Sequence, residues 1–187
     1  WRRETAGACG VCGVLAFVQF LCLRTSRLIM TLWQFHYNLG IVLHSNCEGN
    51  EGDAIFLIAS QINHGKESIM KNRELCITVA TLNMKAGKRA LDGCSPNTAY
   101  SYLSTSSTFM PEDHWESYHD LSLRLSFLMA SAAYSCCNYE EAELILRGVF
   151  EKALSVEEKL PAYSLLSTSE FLLLKNGYWY CRFLFCC

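Results

Sequence analysis

Cys137-Asn138-Tyr139-Glu140-Glu141-Ala142-Glu143 is the stretch whose reading decides the fold. A small residue and an Asn precede an aromatic, two acids and an Ala. This is turn chemistry running directly into a helix start, with the acids at the positive end of the helix dipole. Before the turn, Tyr118, Leu121, Leu125, Leu128 and Ala132 recur at steps of three and four; after it, Ala142, Leu146, Val149 and Ala153 do the same. Two apolar stripes of helical period around a short turn predict an antiparallel helical hairpin. The expected contact sets Leu125, Met129 and Ala132 against Ala142, Leu146 and Val149. Lys175-Asn176-Gly177-Tyr178 echoes the turn, and equivalence of Cys137 with Gly177 predicts a period of 177 − 137 = 40 residues.

Working toward the N-terminus, the same period persists. Trp33, Tyr37, Ile41 and His44 fall at helical spacing, and Asn46 to Gly52 is a polar break. Asp53 is expected to open a helix carrying Ile55, Ile58, Ile62 and Ile69 on one face. Asn72 reads as the cap of a third, with Leu75, Val79, Leu82 and Ala86 on its stripe and Gly87 at its end, where Lys85, Lys88 and Arg89 complement the carbonyl dipole. Ser95-Pro96 has the pattern of an N-cap followed by proline at the first helical position, in a helix carrying Ala99, Tyr102 and Leu103. Asp113 with Glu116, Asn138 with Glu141 and Ser155 with Glu158 are spaced as capping pairs. No useful length alternates with a period of two. The expectation is an all-α fold, antiparallel helical hairpins stacked as a tetratricopeptide-like α-solenoid, with the repeat domain spanning 32–177.

Composition narrows the function classes. The chain has 187 residues, 51% of them hydrophobic, enough for one core or a short repeat array. A net charge of −2 leaves no basic footprint, so nucleic acid is not an expected partner, and neither is a membrane. Eleven cysteines are an odd number, and Cys76, Cys136 and Cys137 lie in helical, apolar contexts. They read as small hydrophobes of a reducing, cytoplasmic protein rather than a disulfide framework, and the chain lacks an Asn-x-Ser/Thr acceptor. Residues 1–31 are a poorly defined segment. Its apolar run Val11 to Leu23 has the length of a signal-peptide core but no cleavage pattern, and misassigned sequence and a genuine helix are both readings of it. Residues 178–187 are apolar and read as truncated; the chain as a whole reads as a fragment.

No catalytic, cofactor-binding or metal-ligating residue is predicted. A phosphate-cradling loop needs Gly-x-x-x-x-Gly-Lys-Ser/Thr, and His64-Gly65-Lys66 and Ala86-Gly87-Lys88 hold only the Gly-Lys pair. Cys9-x-x-Cys12 lacks a second pair for a zinc site, and vicinal Cys136-Cys137 reads as a crowded helix end. His114 and His119 are five apart and do not share a helix face as metal ligands would. His114 is expected to be exposed near a helix start, His119 to lie on a polar face, and Trp115 and Tyr118 to pack in the core.

Several strings carry a further resemblance. In order they are Phe35-His36-Tyr37-Asn38-Leu39-Gly40, Gln61-Ile62-Asn63-His64-Gly65, Leu82-Asn83-Met84-Lys85-Ala86-Gly87-Lys88-Arg89-Ala90 and Ala99-Tyr100-Ser101-Tyr102-Leu103. Pro111-Glu112-Asp113-His114-Trp115, Tyr118-His119-Asp120-Leu121, the Asn-Tyr-Glu-Glu-Ala-Glu turn and Lys159 to Leu165 follow. Their order resembles the tetratricopeptide-like helical region that follows the AAA-type ATPase module in large signalling proteins, of the Ser/Thr kinase–ATPase–GAF–histidine kinase type. The resemblance implies a non-catalytic linker or interaction segment of an ATP-binding kinase or ATPase, whose partners are proteins or neighbouring domains. A freestanding tetratricopeptide-like adaptor is the alternative. Two departures stand out. Cys137 occupies a position where that family favours Gly, so that Asn138 is expected to absorb the left-handed strain, and Pro161 falls early in a helix.

Overall fold

The computed structural model describes residues 32–47 and 52–175. The readings of residues 1–31 and 178–187, of Cys9 and Cys12, and of the Gly177 turn lie outside the described residues. Among the described residues there is no strand. The helices are α1 (32–46), α2 (Ile55–Asn63), α3 (Lys66–Ile69), α4 (Arg73–Asp92), α5 (Pro96–Phe109), α6 (His114–Ser117), α7 (His119–Ser135), α8 (Tyr139–Lys152) and α9 (Val156–Lys175). They pack in chain order as stacked antiparallel hairpins, α4 with α5 and α7 with α8, each pair resting on the next.

The two hairpins correspond at one offset over their turns and second helices. Helix α4 ends at Asp92 and α7 at Ser135; α5 spans Pro96–Phe109 and α8 spans Tyr139–Lys152, these three boundaries shifted by 43 residues (135 − 92, 139 − 96, 152 − 109), whereas the starts of α4 and α7 differ by 46 (119 − 73). Their turns share a hydrogen-bond scheme. Cys94 N–H donates to Leu91 O at 2.9 Å and Ser95 N–H to Ala90 O at 2.8 Å; 43 positions on, Cys137 N–H donates to Tyr134 O and Asn138 N–H to Ala133 O, both at 2.9 Å. This pairing caps the last carbonyls of a helix and needs a left-handed residue just beyond it. That residue is Cys94 at φ 56° and Cys137 at φ 60°. The left-handed conformation therefore falls on Cys137 itself and not on Asn138, whose φ is −90°. The offset between these two hairpins is 43 residues, within the ~40–47 of non-tetratricopeptide helical solenoids; the 40-residue period expected from Gly177 lies outside the described residues.

Helix α4 corrects a second expectation. It does not stop at Gly87 but runs on to Asp92, from Asn72, whose side chain caps Leu75 N–H. Gly87 is buried where α4 crosses α5, and a Cβ there would lie 2.7 Å from Leu103 Cδ2 and 3.2 Å from Ala99 O. The glycine serves close helix approach, not termination. The second helix is shorter than expected. Ile55, Ile58, Ile62 and Ile69 are all buried, but His64-Gly65 breaks the helix between Asn63 and Lys66. Gly65 lies beneath the Tyr37 ring of α1, where a Cβ would meet Tyr37 Cγ at 2.6 Å.

The core is divided among the helix layers. Ile58, Ile69, Val79 and Phe109 lie in a cluster that also receives Tyr37 and Ile41 of α1. Ala99, Leu103, Leu125 and Ala132 join α5 to α7; Leu123, Ala130, Leu146, Val149 and Ala162 join α7 to α8 and α9. Helix α7 thus has two apolar stripes, and only the first was read from sequence. Leu121, Leu125, Leu128 and Ala132 face the preceding hairpin, while Leu123, Phe127, Ala130 and Tyr134, spaced four, three and four, face α8. The expected contact of Leu125, Met129 and Ala132 with α8 is corrected accordingly. An internal helix of a stack has neighbours on both sides and must bury both.

Candidate functional site

Two of the resembling strings meet between α2 and α4. Asn63 Nδ2 donates to Asn83 Oδ1 at 2.9 Å, and Asn83 Nδ2 donates back to Asn63 Oδ1 at 2.9 Å. Asn83 also donates to Val79 O at 2.9 Å and is fully buried. Nearby, His36 Nδ1 lies 2.6 Å from Gln61 Oε1, and the His36 and His64 rings are 4.8 Å apart between centroids. Gly40 completes this junction, with Ile62 N 2.8 Å from where its Cβ would be. His36 with Gln61, and Asn63 with Asn83, thereby join α1 to α2 and α2 to α4.

A second cluster lies where α6, α7 and α9 converge. His114 Nδ1 is 2.7 Å from Ser122 Oγ, which superficially resembles a base beside a nucleophile. The rest of the network argues otherwise. Ser122 Oγ is 3.0 Å from His114 O and 2.9 Å from Tyr118 O, so its proton is directed to a carbonyl and the ring nitrogen is the donor. Ser122 is 1% exposed. The pair staples α6 onto α7. His114 was expected to be exposed, but it is partly buried, and that burial pushes its pKa below the usual histidine value.

His119, expected on a polar face, pairs instead with Glu158 at 3.0 Å. The same carboxylate oxygen accepts Leu154 N–H at 2.8 Å, while Glu158 N–H donates to Ser155 Oγ at 3.2 Å. The Ser155–Glu158 cap is therefore present and doubles as a tie between α9 and α7. His119 and Leu154 N–H together hold the Glu158 carboxyl below its ordinary range. Trp115 packs against the α7–α8–α9 core with its ring edge-on to His119, 5.7 Å away.

Three expected caps are not made: Ser95, Asp113 and Asn138 stand at their helix starts without a side-chain capping bond. Asp113 instead takes Arg73 at 2.7 Å and Ser117 at 2.7 Å, tying α4 to α6. These contacts lower its pKa, Arg73 most. Glu141 faces the Tyr100 hydroxyl, whose pKa is raised by burial first and by that carboxylate second.

One open groove of about 520 Å³ lies at the α4–α5 turn, lined by Phe56, Arg89, Ala90, Asp92, Ser95 and Thr98. The helix start at Ser95-Pro96 beside it was read from sequence, but the end of the preceding helix was placed at Gly87, although Gly93 was a usable signal. Among the described residues no cluster of three or more His, Cys, Asp or Glu side chains could hold a metal ion, and no helix is long and apolar enough to cross a membrane. Cys76 is buried, with its thiol 3.2 Å from Ile69 O, whereas Cys94 and Cys137 are exposed. Comparison of the chain with protein-family models, with curated proteins and with solved structures finds no match.

Proposed function

We propose that this chain is a non-catalytic helical-repeat segment that links and docks other modules, within a multidomain ATP-binding signal-transduction kinase or ATPase. The observation that supports the reading is where the motif residues go. Asn63 bonds Asn83, Gly65 seats Tyr37 and Gly87 seats Leu103, each a contact between stacked helices. Residues committed to stacking make a rigid spacer whose surface is left for partners. Nucleotide chemistry then belongs to neighbouring modules.

The test is extension of the transcript that encodes the chain, in both directions, together with a melt of the chain itself. An in-frame P-loop upstream of Leu32, with magnesium ATP leaving the melting temperature of the chain unchanged, is the expected result. An in-frame stop directly upstream would favour the freestanding adaptor, for which the groove beside Phe56 and Arg89 is the place to look for a bound peptide. A clear stabilisation by ATP, lost in Lys66→Ala or Lys88→Ala, would overturn the non-catalytic reading altogether.

A further inference from the structure

Ala153, Leu154 and Ser155 connect α8 to α9, and Ser155 holds that corner closed. Its Oγ accepts Glu158 N–H at 3.2 Å. Its hydroxyl also reaches the Glu157 carboxyl, which is held below its ordinary range first by a backbone N–H of Glu157 and second by this contact. Glu158 in turn accepts Leu154 N–H at 2.8 Å and pairs with His119 of α7 at 3.0 Å. The helix turn that follows is weak. Pro161 lies inside α9 and has no N–H to give to Glu157 O, so the first turn is short of one ladder bond. Leu154 (81%) and Val156 (69%), on either side of Ser155, are exposed among the described residues. A segment with so few buried contacts opens locally at low cost.

Ser155 is also the one serine or threonine of the chain followed by acids at both its second and third positions, Glu157 and Glu158. We propose that Ser155 is a phosphorylation site for an acid-directed Ser/Thr kinase, and that the phosphate releases the first turn of α9 from α7. The donor is magnesium ATP. Ser155 Oγ attacks the γ-phosphorus, the new O–P bond forms as the bond to ADP breaks, and the hydroxyl proton passes to a base of the kinase. The product adds a charge of about −1.5 to −2. The start of α9 offers an anion only about half a positive elementary charge. Against it stand two whole negative charges, Glu157 on the hydroxyl and Glu158 on Leu154 N–H. Repulsion prevails, and Glu158 loses its hold on both Leu154 N–H and His119.

The full chain is incubated with magnesium ATP and casein kinase II, an acid-directed enzyme, and its phosphopeptides are mapped by mass spectrometry. Phosphate on Ser155 is the expected result. Ser155→Asn keeps a capping side chain without the hydroxyl, and Glu157→Gln removes an acid that the kinase reads; both should lose that phosphopeptide. Circular dichroism melts verify that the variants fold, and Ser155→Asp replaces Ser155→Asn if it does not. In hydrogen exchange, the phosphorylated chain should lose protection at the amides of Leu154 and Glu158, while α4 and α5 keep theirs. A Ser155 left bare while a control acidic peptide is phosphorylated overturns the site. Undiminished phosphate on Ser155 in Glu157→Gln overturns the acid-directed recognition. A phosphorylated chain with Leu154 and Glu158 as protected as before overturns the release of α9.

Discussion

Asn63 and Asn83 form a closed amide pair, each side chain donating to and accepting from the other at 2.9 Å. Asn83 sits mid-helix, fully buried, in the middle of a 20-residue α4. A buried amide is tolerated there because its second N–H also finds a partner, Val79 O.

Breaking one side of that pair should cost more than removing both. Asn83→Leu leaves the half-buried Asn63 amide without its partner, and a loss of about 1–3 kcal/mol in urea unfolding is expected. Asn63→Leu/Asn83→Leu should recover much of that loss, giving a double-mutant cycle with clear coupling. Strictly additive losses would mean the pair is not an energetic unit.

Gly87→Ala tests close approach against helix propensity. Alanine is the better helix former by about 0.8–1 kcal/mol. At this site, however, its Cβ would press on buried Leu103 and on Ala99 O at 3.2 Å. Overpacking of about 1–3 kcal/mol should win, so a lower melting temperature is expected. The corresponding residue of the second hairpin is Ala130, also fully buried; Gly87→Ala/Leu103→Ala should therefore lose less than the two single changes combined. A Gly87→Ala chain that melts higher than its parent would show that α4 and α5 separate easily.

Cysteine is a poor choice for the left-handed residue of the two turns. An L side chain costs about 1–2 kcal/mol there, and glycine returns part of that saving as extra freedom in the unfolded chain. Cys94→Gly and Cys137→Gly should each stabilise by about 0.5–1 kcal/mol. Cys137→Val should destabilise, since a β-branched residue tolerates positive φ worst. Denaturant midpoints decide it, and a loss of stability in both glycine variants would mean the thiols hold the turns.

Burial of His114 predicts a specific pH dependence. Its folded pKa is lowered, desolvation being the main cause and Glu116 and Asp113 opposing it. The unfolded chain then binds the proton more readily, so this contribution is fully present above the ordinary histidine value of about 6.5. It is lost as pH falls below that value toward the folded one. His114→Asn keeps an N–H donor near the Nδ1 position but does not titrate. The difference in melting temperature between parent and variant should shift toward the variant on acidification from about pH 7.5 to about pH 5. A difference that stays constant over that interval refutes the assignment.

Period and punctuation were legible in the chain itself. Helical spacing from Trp33 onward, the Asn72 and Ser155 caps and the Cys137 turn together determined an all-helical stack of hairpins, because each depends on residues within one or two turns of one another. What the sequence could not declare was which face of each helix meets which neighbour. Leu123, Phe127, Ala130 and Tyr134 are as regular as Leu121, Leu125, Leu128 and Ala132, and only the packed stack assigns the first set to α8 and the second to α5. Gly87 reads locally as a helix stop, since a glycine after basic residues has that meaning in an isolated helix. Tertiary contact with Leu103 makes it an interior residue instead. Asp113 likewise looks like a cap until Arg73, forty positions away, takes its carboxylate. Local free energies of capping and turn formation amount to about 1 kcal/mol each, whereas burying a side chain across a helix pair contributes about 1.5–3 kcal/mol. Where the two disagree, the long-range term prevails, and it is invisible until the helices are placed against one another.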